Sequence, residues 1–183
     1  MCDEPKQLFA STFDCDASKD TGTPCTNLFD GDESTVWESG RNKITRNVDP
    51  KNYADDKYQM GRNTNIKMIF SKETIVTGVQ IINKNDKKDS YENYKKMQLQ
   101  FSNTFVKEVE LANGKQNDVF SLEYPIETSF VNLEGLSTWG HMPIQHWICN
   151  GIYPWCERTT GFRSGLSEIR LFGCAEGIYH VDK

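Results

Sequence analysis

A short acidic turn carries the residues of this sequence best suited to hold a metal ion. Asp30, Gly31 and Asp32 are consecutive, and Thr35 follows three residues later. Calcium takes about six to eight oxygen ligands from carboxylates, hydroxyls and backbone carbonyls. A glycine between the two acids lets the backbone curl so that carbonyls point inward. The pattern predicts part of a structural calcium site, and the alternative is a solvated turn closed by Asx hydrogen bonds.

A second group of residues has the chemistry of a sugar-binding surface. Glycan sites stack an aromatic ring on the apolar face of a pyranose, while Arg, His and Asn hydrogen-bond the hydroxyl groups. The aromatic segment 137–165 contains most of these residue types, and two arginines of segment 40–65 are expected to reach toward it. The candidate ligand-binding residues are Arg41, Arg46, Trp139, His141, His146, Trp147, Tyr153, Trp155, Arg158 and Arg163.

The same aromatic segment permits other hypotheses. Apolar side chains at a loop tip, among them Ile148 and Ile152, are typical of proteins that dip into a membrane surface. We rank membrane contact below glycan binding, because an acidic chain gains little from anionic lipid. A protein-binding role in cell adhesion or assembly stays open, and so does a purely structural role for each histidine.

The cysteines indicate the compartment. The chain has six, an even number that favours three disulfides and an oxidising environment over six free thiols. A zinc site is disfavoured because no CxxC pair is present and no histidine clusters with a cysteine. Local sequence favours pairing of Cys15 with Cys25 and of Cys149 with Cys156, the latter stapling the aromatic loop. We therefore expect a secreted or cell-surface protein in which Met1 stands in place of a removed leader or upstream domain.

Composition narrows the class of function. The chain has 183 residues with a net charge of -5, which suits one domain and disfavours a nucleic-acid binder that neutralises phosphates. No apolar run approaches the roughly 20 residues of a membrane span. None of the common hydrolase, metalloprotease, P-loop or dinucleotide-binding motifs is present in the sequence, so we expect no catalytic activity.

Period-two alternation predicts the elements that position these residues. Ile66, Met68 and Phe70 alternate with less apolar neighbours, and β-branched residues fill segment 74–83. Further short strands are predicted at residues 97–101, 105–111, 119–122, 130–133 and 168–172. Between them lie three long loops, at 40–65, 83–96 and 137–165, and the lysines of 84–88 are interpreted as solvated. Several short strands separated by turns favour an all-β sandwich.

Three segments in the right order resemble one family. Residues 27–37 (NLFDGDESTVW) are similar to the N-x-x-D-G-D-x-x-T-x-W segment of the discoidin, or coagulation factor 5/8 type C, superfamily. Residues 66–83 resemble its paired strands, which are joined by a polar turn, and residues 165–174 resemble its closing strand. The resemblance implies a galactose-binding-like jelly-roll β-sandwich with long disulfide-stapled loops. We expect one domain over residues 1–183, with its core at about 8–174 and Trp37 inside it.

The resemblance also implies roles for particular residues. In similar lectins and carbohydrate-binding modules a Glu at the start of the last strand completes the calcium shell, and Glu168 has that position, with Ser167 supplying a carbonyl. Asn27 and Asp32 would then give mainly backbone oxygen, and Asp30 a carboxylate. A bridge between the two ends of such domains would pair Cys2 with Cys174. The implied function is extracellular recognition of a glycan or a cell-surface glycoprotein, with protein-mediated adhesion as the alternative.

Overall fold

The described part of the chain is built from β-strands and two short 3₁₀ turns. The computed structural model describes residues 2, 4–17, 23–39, 43–44, 65–116, 118–140, 158–159 and 163–175. The strands there are β1 (Lys6–Leu8), β2 (Phe13–Ala17), β3 (Trp37–Glu38), β4 (Lys43–Ile44), β5 (Asn65–Asn83), β6 (Tyr94–Phe101), β7 (Val106–Glu110), β8 (Asp118–Thr138), β9 (Arg158–Thr159) and β10 (Gly165–Ala175). The 3₁₀ turns span Ala10–Thr12 and Cys25–Leu28. Within these ranges no helix has the length and apolar character needed to cross a membrane.

Two long strands, β5 and β8, each serve both layers of the sandwich. The first half of β5 pairs with β2, and its second half pairs with β10. The pairing of β5 with β8 changes register between Ile69 and Thr74, and only the later part of β8 pairs with β6. One layer therefore has the strand order β2–β5–β8–β6–β7, and the other has β1–β10–β5–β8. The main ladders are antiparallel, as expected for a jelly-roll sandwich.

The alternation in the sequence places one apolar face of each layer in a shared core. Met68, Leu99 and Val131 of the first layer are fully buried. In the second layer Val79 is fully buried and Ile169 is 1 % exposed. Trp37, expected in the core, has no exposed surface. Burying side chains of this size contributes about 1.5–3 kcal/mol each, so the two facing layers stabilise one another.

The structure corrects two predicted boundaries. The polar turn expected between the paired strands, at Ser71–Glu73, is an exposed part of β5, which continues through it. The strands predicted at 119–122 and 130–133 belong to the single strand β8. Each strand continues from one layer to the other, while the ladder between them is interrupted by a shift of register between Ile69 and Thr74. Composition indicates a turn, but it does not distinguish a turn from a bent strand.

Gly173 marks a close approach of two backbones. It lies on β10 at a register shift against β5, and a Cβ there would meet the carbonyl oxygen of Ile75. We expect Gly173→Ala to lower the free energy of unfolding by about 1–3 kcal/mol, because the backbone must move to admit the methyl group. Urea unfolding followed by tryptophan fluorescence measures this, with the exposed Ser121→Ala on β8 as the control. Equal stability of the two variants would contradict the close approach.

Two disulfides tie the described strands together. Cys2 is bonded to Cys174 on β10, and Cys15 on β2 is bonded to Cys25. Both pairings agree with the expected ones. The predicted pair Cys149–Cys156 lies outside the described residues and stays a prediction.

Candidate functional site

The acidic turn is held by its own side chains. The backbone N–H of Asp32 donates to Asp30 Oδ1 at 2.8 Å, and Gly31 between them has a positive φ of 78°. Asp32 Oδ1 accepts from the N–H of Ser34 at 2.9 Å and from its hydroxyl at 2.6 Å. These Ser34 hydrogen bonds hold the pKa of Asp32 below its usual value. The Asx turns considered as an alternative to a metal site are therefore present, and the Asp32 backbone carbonyl oxygen closes the turn by accepting from the Thr35 N–H at 3.1 Å.

Three oxygens of the turn converge on the hydroxyl of Thr35. Its Oγ1 lies 2.8 Å from Asp30 Oδ2, 2.8 Å from the Asp32 carbonyl oxygen and 3.3 Å from the Asn27 carbonyl oxygen. A hydroxyl has one proton, so it can donate to only one of these acceptors at a time. Asn27 uses its side-chain amide to donate to the carbonyl of Val36 at 2.9 Å, which holds its backbone at the site.

Glu168 reaches the same turn from the start of β10. Its side chain is 1 % exposed, and Oε2 is buried without a hydrogen-bond partner in the described residues. The backbone of Gly31 lies close enough to this carboxylate to act on its pKa, which it lowers. Burial raises the pKa of Glu168 to about 7, Arg170 opposes the rise, and the negative charge of Asp30 adds to it. A buried carboxylate oxygen with no donor is costly, and a cation bound beside it would offset that cost.

Ser167 contributes differently from the other predicted ligands. Its hydroxyl donates to the Asn83 carbonyl oxygen at 3.1 Å, inside the sheet. The register of β10 against β5 shifts between Leu166 and Glu168, which places Ser167 at an irregularity of the ladder. Only its backbone carbonyl is therefore a potential ligand, as the resemblance implied.

The combined set of groups fits a hard cation. It comprises the carboxylates of Asp30 and Glu168, the Thr35 hydroxyl, and the backbone carbonyls of Asn27 and Asp32. No group of three or more His, Cys, Asp or Glu side chains able to hold a metal is present in the part of the chain that the structure describes. A set dominated by neutral oxygens excludes a soft metal and suits calcium, which accepts mixed carboxylate, hydroxyl and carbonyl shells.

Basic side chains border this turn. Arg170 donates to Glu33 Oε1 at 3.2 Å and to Gln80 Oε1 at 3.0 Å, and its Nε lies 3.8 Å from Glu168 Oε1. Lys115, from the connection between β7 and β8, donates to the backbone carbonyl of Glu33. The turn is thereby fastened to β10, β5 and the β7–β8 connection, so it has a defined position on the sandwich.

The two long segments expected to bind ligand come together at their backbones. β4 pairs antiparallel with β9, with Lys43 opposite Thr159 and Ile44 opposite Arg158. These strands form a separate two-stranded sheet. Arg41 and Arg46, the residues expected to reach toward the aromatic segment, lie outside the described residues, so that expectation stays a prediction.

Two of the predicted ligand-binding side chains are described, and both have contacts within the protein. The Trp139 indole N–H donates to the Leu111 carbonyl oxygen at 3.1 Å, and Lys95 Nζ lies 5.3 Å from a ring centroid of the indole. Arg163 Nη1 donates to the Ser39 carbonyl oxygen at 3.5 Å. For Arg158 only the backbone is described. The predicted residues that lie outside the described ranges are Arg41, Arg46, His141, His146, Trp147, Tyr153 and Trp155.

The interpretation of the 84–88 lysines as solvated is wrong for Lys84. Its Nζ lies 2.5 Å from Glu38 Oε1 and 3.0 Å from Glu92 Oε1, and its side chain is 16 % exposed. Desolvation lowers the pKa of Lys84, but the hydrogen bonds to the two carboxylates outweigh it, so the pKa lies above its usual value. No sequence signal marks this contact, because Glu38 is 46 residues away.

Comparison with solved structures identifies the fold. A family 32 carbohydrate-binding module of Clostridium perfringens NanJ, solved with galactose, aligns with a TM-score of 0.56 at 11% identity over 92% of this chain and 99% of that one. An F5/8 type C domain from Bacteroides fragilis aligns with a TM-score of 0.56 at 13% identity over 93% and 97%. The CBM32-5 module of a Clostridium perfringens GH89 protein, in complex with GalNAc-β-1,3-galactose, gives 0.53 at 12% identity over 92% and 100%.

Comparison of the sequence itself gives no match to a protein-family model or to a curated protein. At these identities the structural likeness establishes architecture and leaves the ligand open. The chain has the discoidin-like β-sandwich fold that F5/8 type C domains and family 32 carbohydrate-binding modules share.

Proposed function

We propose that this chain is a non-catalytic extracellular module that binds a glycan through the loops at one end of its sandwich. The observation that carries the proposal is the pairing of β4 with β9, which joins the two long segments richest in sugar-binding residue types. Two of the similar structures hold galactose or GalNAc-β-1,3-galactose, which makes galactose-containing glycans the first ligands to test. The two disulfides support an extracellular location, because such bonds persist in oxidising compartments.

We further propose that the acidic turn binds one structural calcium ion. Asp30 and Glu168 would supply carboxylate oxygens, Thr35 its hydroxyl, and Asn27, Asp32 and Ser167 backbone carbonyls. The unpaired oxygen of Glu168 supports this proposal most directly. Bound there, calcium would neutralise the carboxylates and fasten the turn to β10, which is a structural role and not a catalytic one.

A glycan array tests the proposed function. We expect the oxidised protein in calcium buffer to bind a restricted set of galactose-containing glycans, and Trp155→Ala to lose that binding because a stacking platform is removed. Tyr124→Ala is the matched control, because it also removes a partly exposed aromatic ring. Tyr124 is 52 % exposed, and its ring packs on that of Phe105, a residue of the β6–β7 turn. An array without signal from correctly folded protein would overturn glycan binding and bring protein-mediated adhesion forward.

A further inference from the structure

Three separate segments meet around Gly165, the first residue of β10. Gly165 is the register partner of Glu38 on β3, and its backbone N–H donates to the Glu92 carbonyl oxygen at 2.9 Å. The Cδ of Lys84 lies 3.2 Å from the place a Cβ on residue 165 would take. The end of β3, the start of β10 and the 84–93 connection therefore pack at one point, where a side chain on residue 165 would not fit.

Lys84 joins these segments by charge as well as by packing. It bridges Glu38 on β3 and Glu92 in the 84–93 connection, and the two carboxylates are 27 % and 21 % exposed. Asn85 donates to the second oxygen of Glu92 at 3.0 Å, so the carboxylate is held on both sides. With the ammonium removed, two partly buried negative charges would face each other across a short gap. Breaking a desolvated pair in this way is far more costly than breaking an exposed one.

The position of this bridge in the chain gives it a consequence beyond local stability. Glu38 lies two residues before the first long segment, 40–65. Gly165 is the last residue of the second long segment, 137–165. Backbone hydrogen bonds reinforce the same junction, with the Ser39 N–H donating to the Ser164 carbonyl oxygen at 2.8 Å. The Ser164 hydroxyl donates to the Tyr91 carbonyl oxygen at 2.9 Å. The first long segment thus leaves the sandwich, and the second rejoins it, at the place where Lys84 is anchored.

We infer that Lys84 is a positioning residue that sets the point where the first long segment leaves the sandwich and the point where the second rejoins it, and thereby the pairing of β4 with β9. It acts through Glu38 and Glu92 and does not itself contact a ligand. Any effect of Lys84 on glycan affinity rests on the proposed function, whereas its effect on the position of β4 and β9 does not. The inference is therefore tested by an observable that needs no ligand.

Residue-resolved amide exchange by NMR provides that observable. We expect Lys84→Met to speed exchange about tenfold or more at the β4 and β9 amides, because the substitution removes the hydrogen bonds to two carboxylates that hold this junction. Exchange at the core residues Met68, Leu99 and Val131 should stay unchanged. Lys84→Arg, which keeps the charge, should restore slow exchange.

The chain offers a matched control in Lys87. Its Nζ lies 3.5 Å from Glu92 Oε2, but its side chain is 75 % exposed, so Lys87→Met should leave β4 and β9 exchange unchanged. If Lys84→Met fails to fold, Glu92→Gln removes one of the two carboxylates and should show the same local effect. Faster exchange spread evenly over the core, or no change at β4 and β9, would overturn the inference. If neither the unaltered chain nor any variant bound a glycan, that result would count against the proposed function and not against this inference.

Discussion

Calcium is expected to raise the thermal unfolding midpoint of this protein, and Glu168→Gln is expected to abolish the rise. At a concentration one hundred times the Kd, a ligand adds about 2.7 kcal/mol to the free energy of unfolding, or about 5–10 °C for a chain of this length. Glu168 supplies a buried carboxylate oxygen that no described group neutralises by hydrogen bonding. A neutral amide there gives the ion a much weaker ligand. Differential scanning fluorimetry in calcium and in EDTA measures the effect.

The controls separate a lost ligand from a lost fold. In EDTA the Glu168→Gln midpoint should lie close to that of the unaltered chain, because the amide has nearly the same size and removes a buried charge. Glu123→Gln, an exposed position on β8, should retain the full calcium response. An unaltered chain that is indifferent to calcium would remove the metal proposal, as would a Glu168→Gln variant that still responds.

Removing the disulfide between Cys2 and Cys174 is expected to destabilise the protein more than removing the other described bridge. The two cysteines are 172 residues apart, whereas Cys15 and Cys25 are 10 apart. A longer closed loop restricts the unfolded chain more, which predicts costs of about 5 kcal/mol and about 3 kcal/mol respectively on the chain-entropy model. The larger loss corresponds to a midpoint lower by about 10–20 °C.

Urea unfolding of the two double alanine variants measures this difference. Each variant removes both cysteines of one bridge, so neither leaves a single unpaired partner of that bridge to exchange with the other described disulfide. The variant lacking Cys15 and Cys25 is the internal control, since it removes the same chemistry from a short loop. An equal or reversed order of stability would show that strain or residual structure in the unfolded chain outweighs loop length.

Much of the scaffold could be predicted from local pattern. The alternation at Ile66, Met68 and Phe70 predicted a strand with one buried face, and the structure confirms it. Trp37 was expected in the core and is there. Strand ends were less predictable, because Ser71–Glu73 has the composition of a turn and is nevertheless held in β5.

The candidate metal site was likewise predictable from the sequence only in part. Asp30, Gly31, Asp32 and Thr35 lie within one turn, so their spacing alone indicated a cluster of oxygens. Glu168 entered through a family resemblance, and its contact with the turn depends on where β10 lies in the sheet. A Glu 138 residues distant has no local sequence signal that ties it to Asp30.

By itself the sequence determined where the longest strands lie, which turn is acidic and which loop is aromatic, because these follow from neighbours a few residues apart; it did not indicate the short strands β1–β4 and β9. Only the tertiary structure decided which charges meet. Lys84 lies between Glu38 and Glu92, and Arg170 contacts Glu33 from 137 residues away. Such pairs form because β3, β5 and β10 are adjacent in the sheet, where partners are set by register and not by distance along the chain.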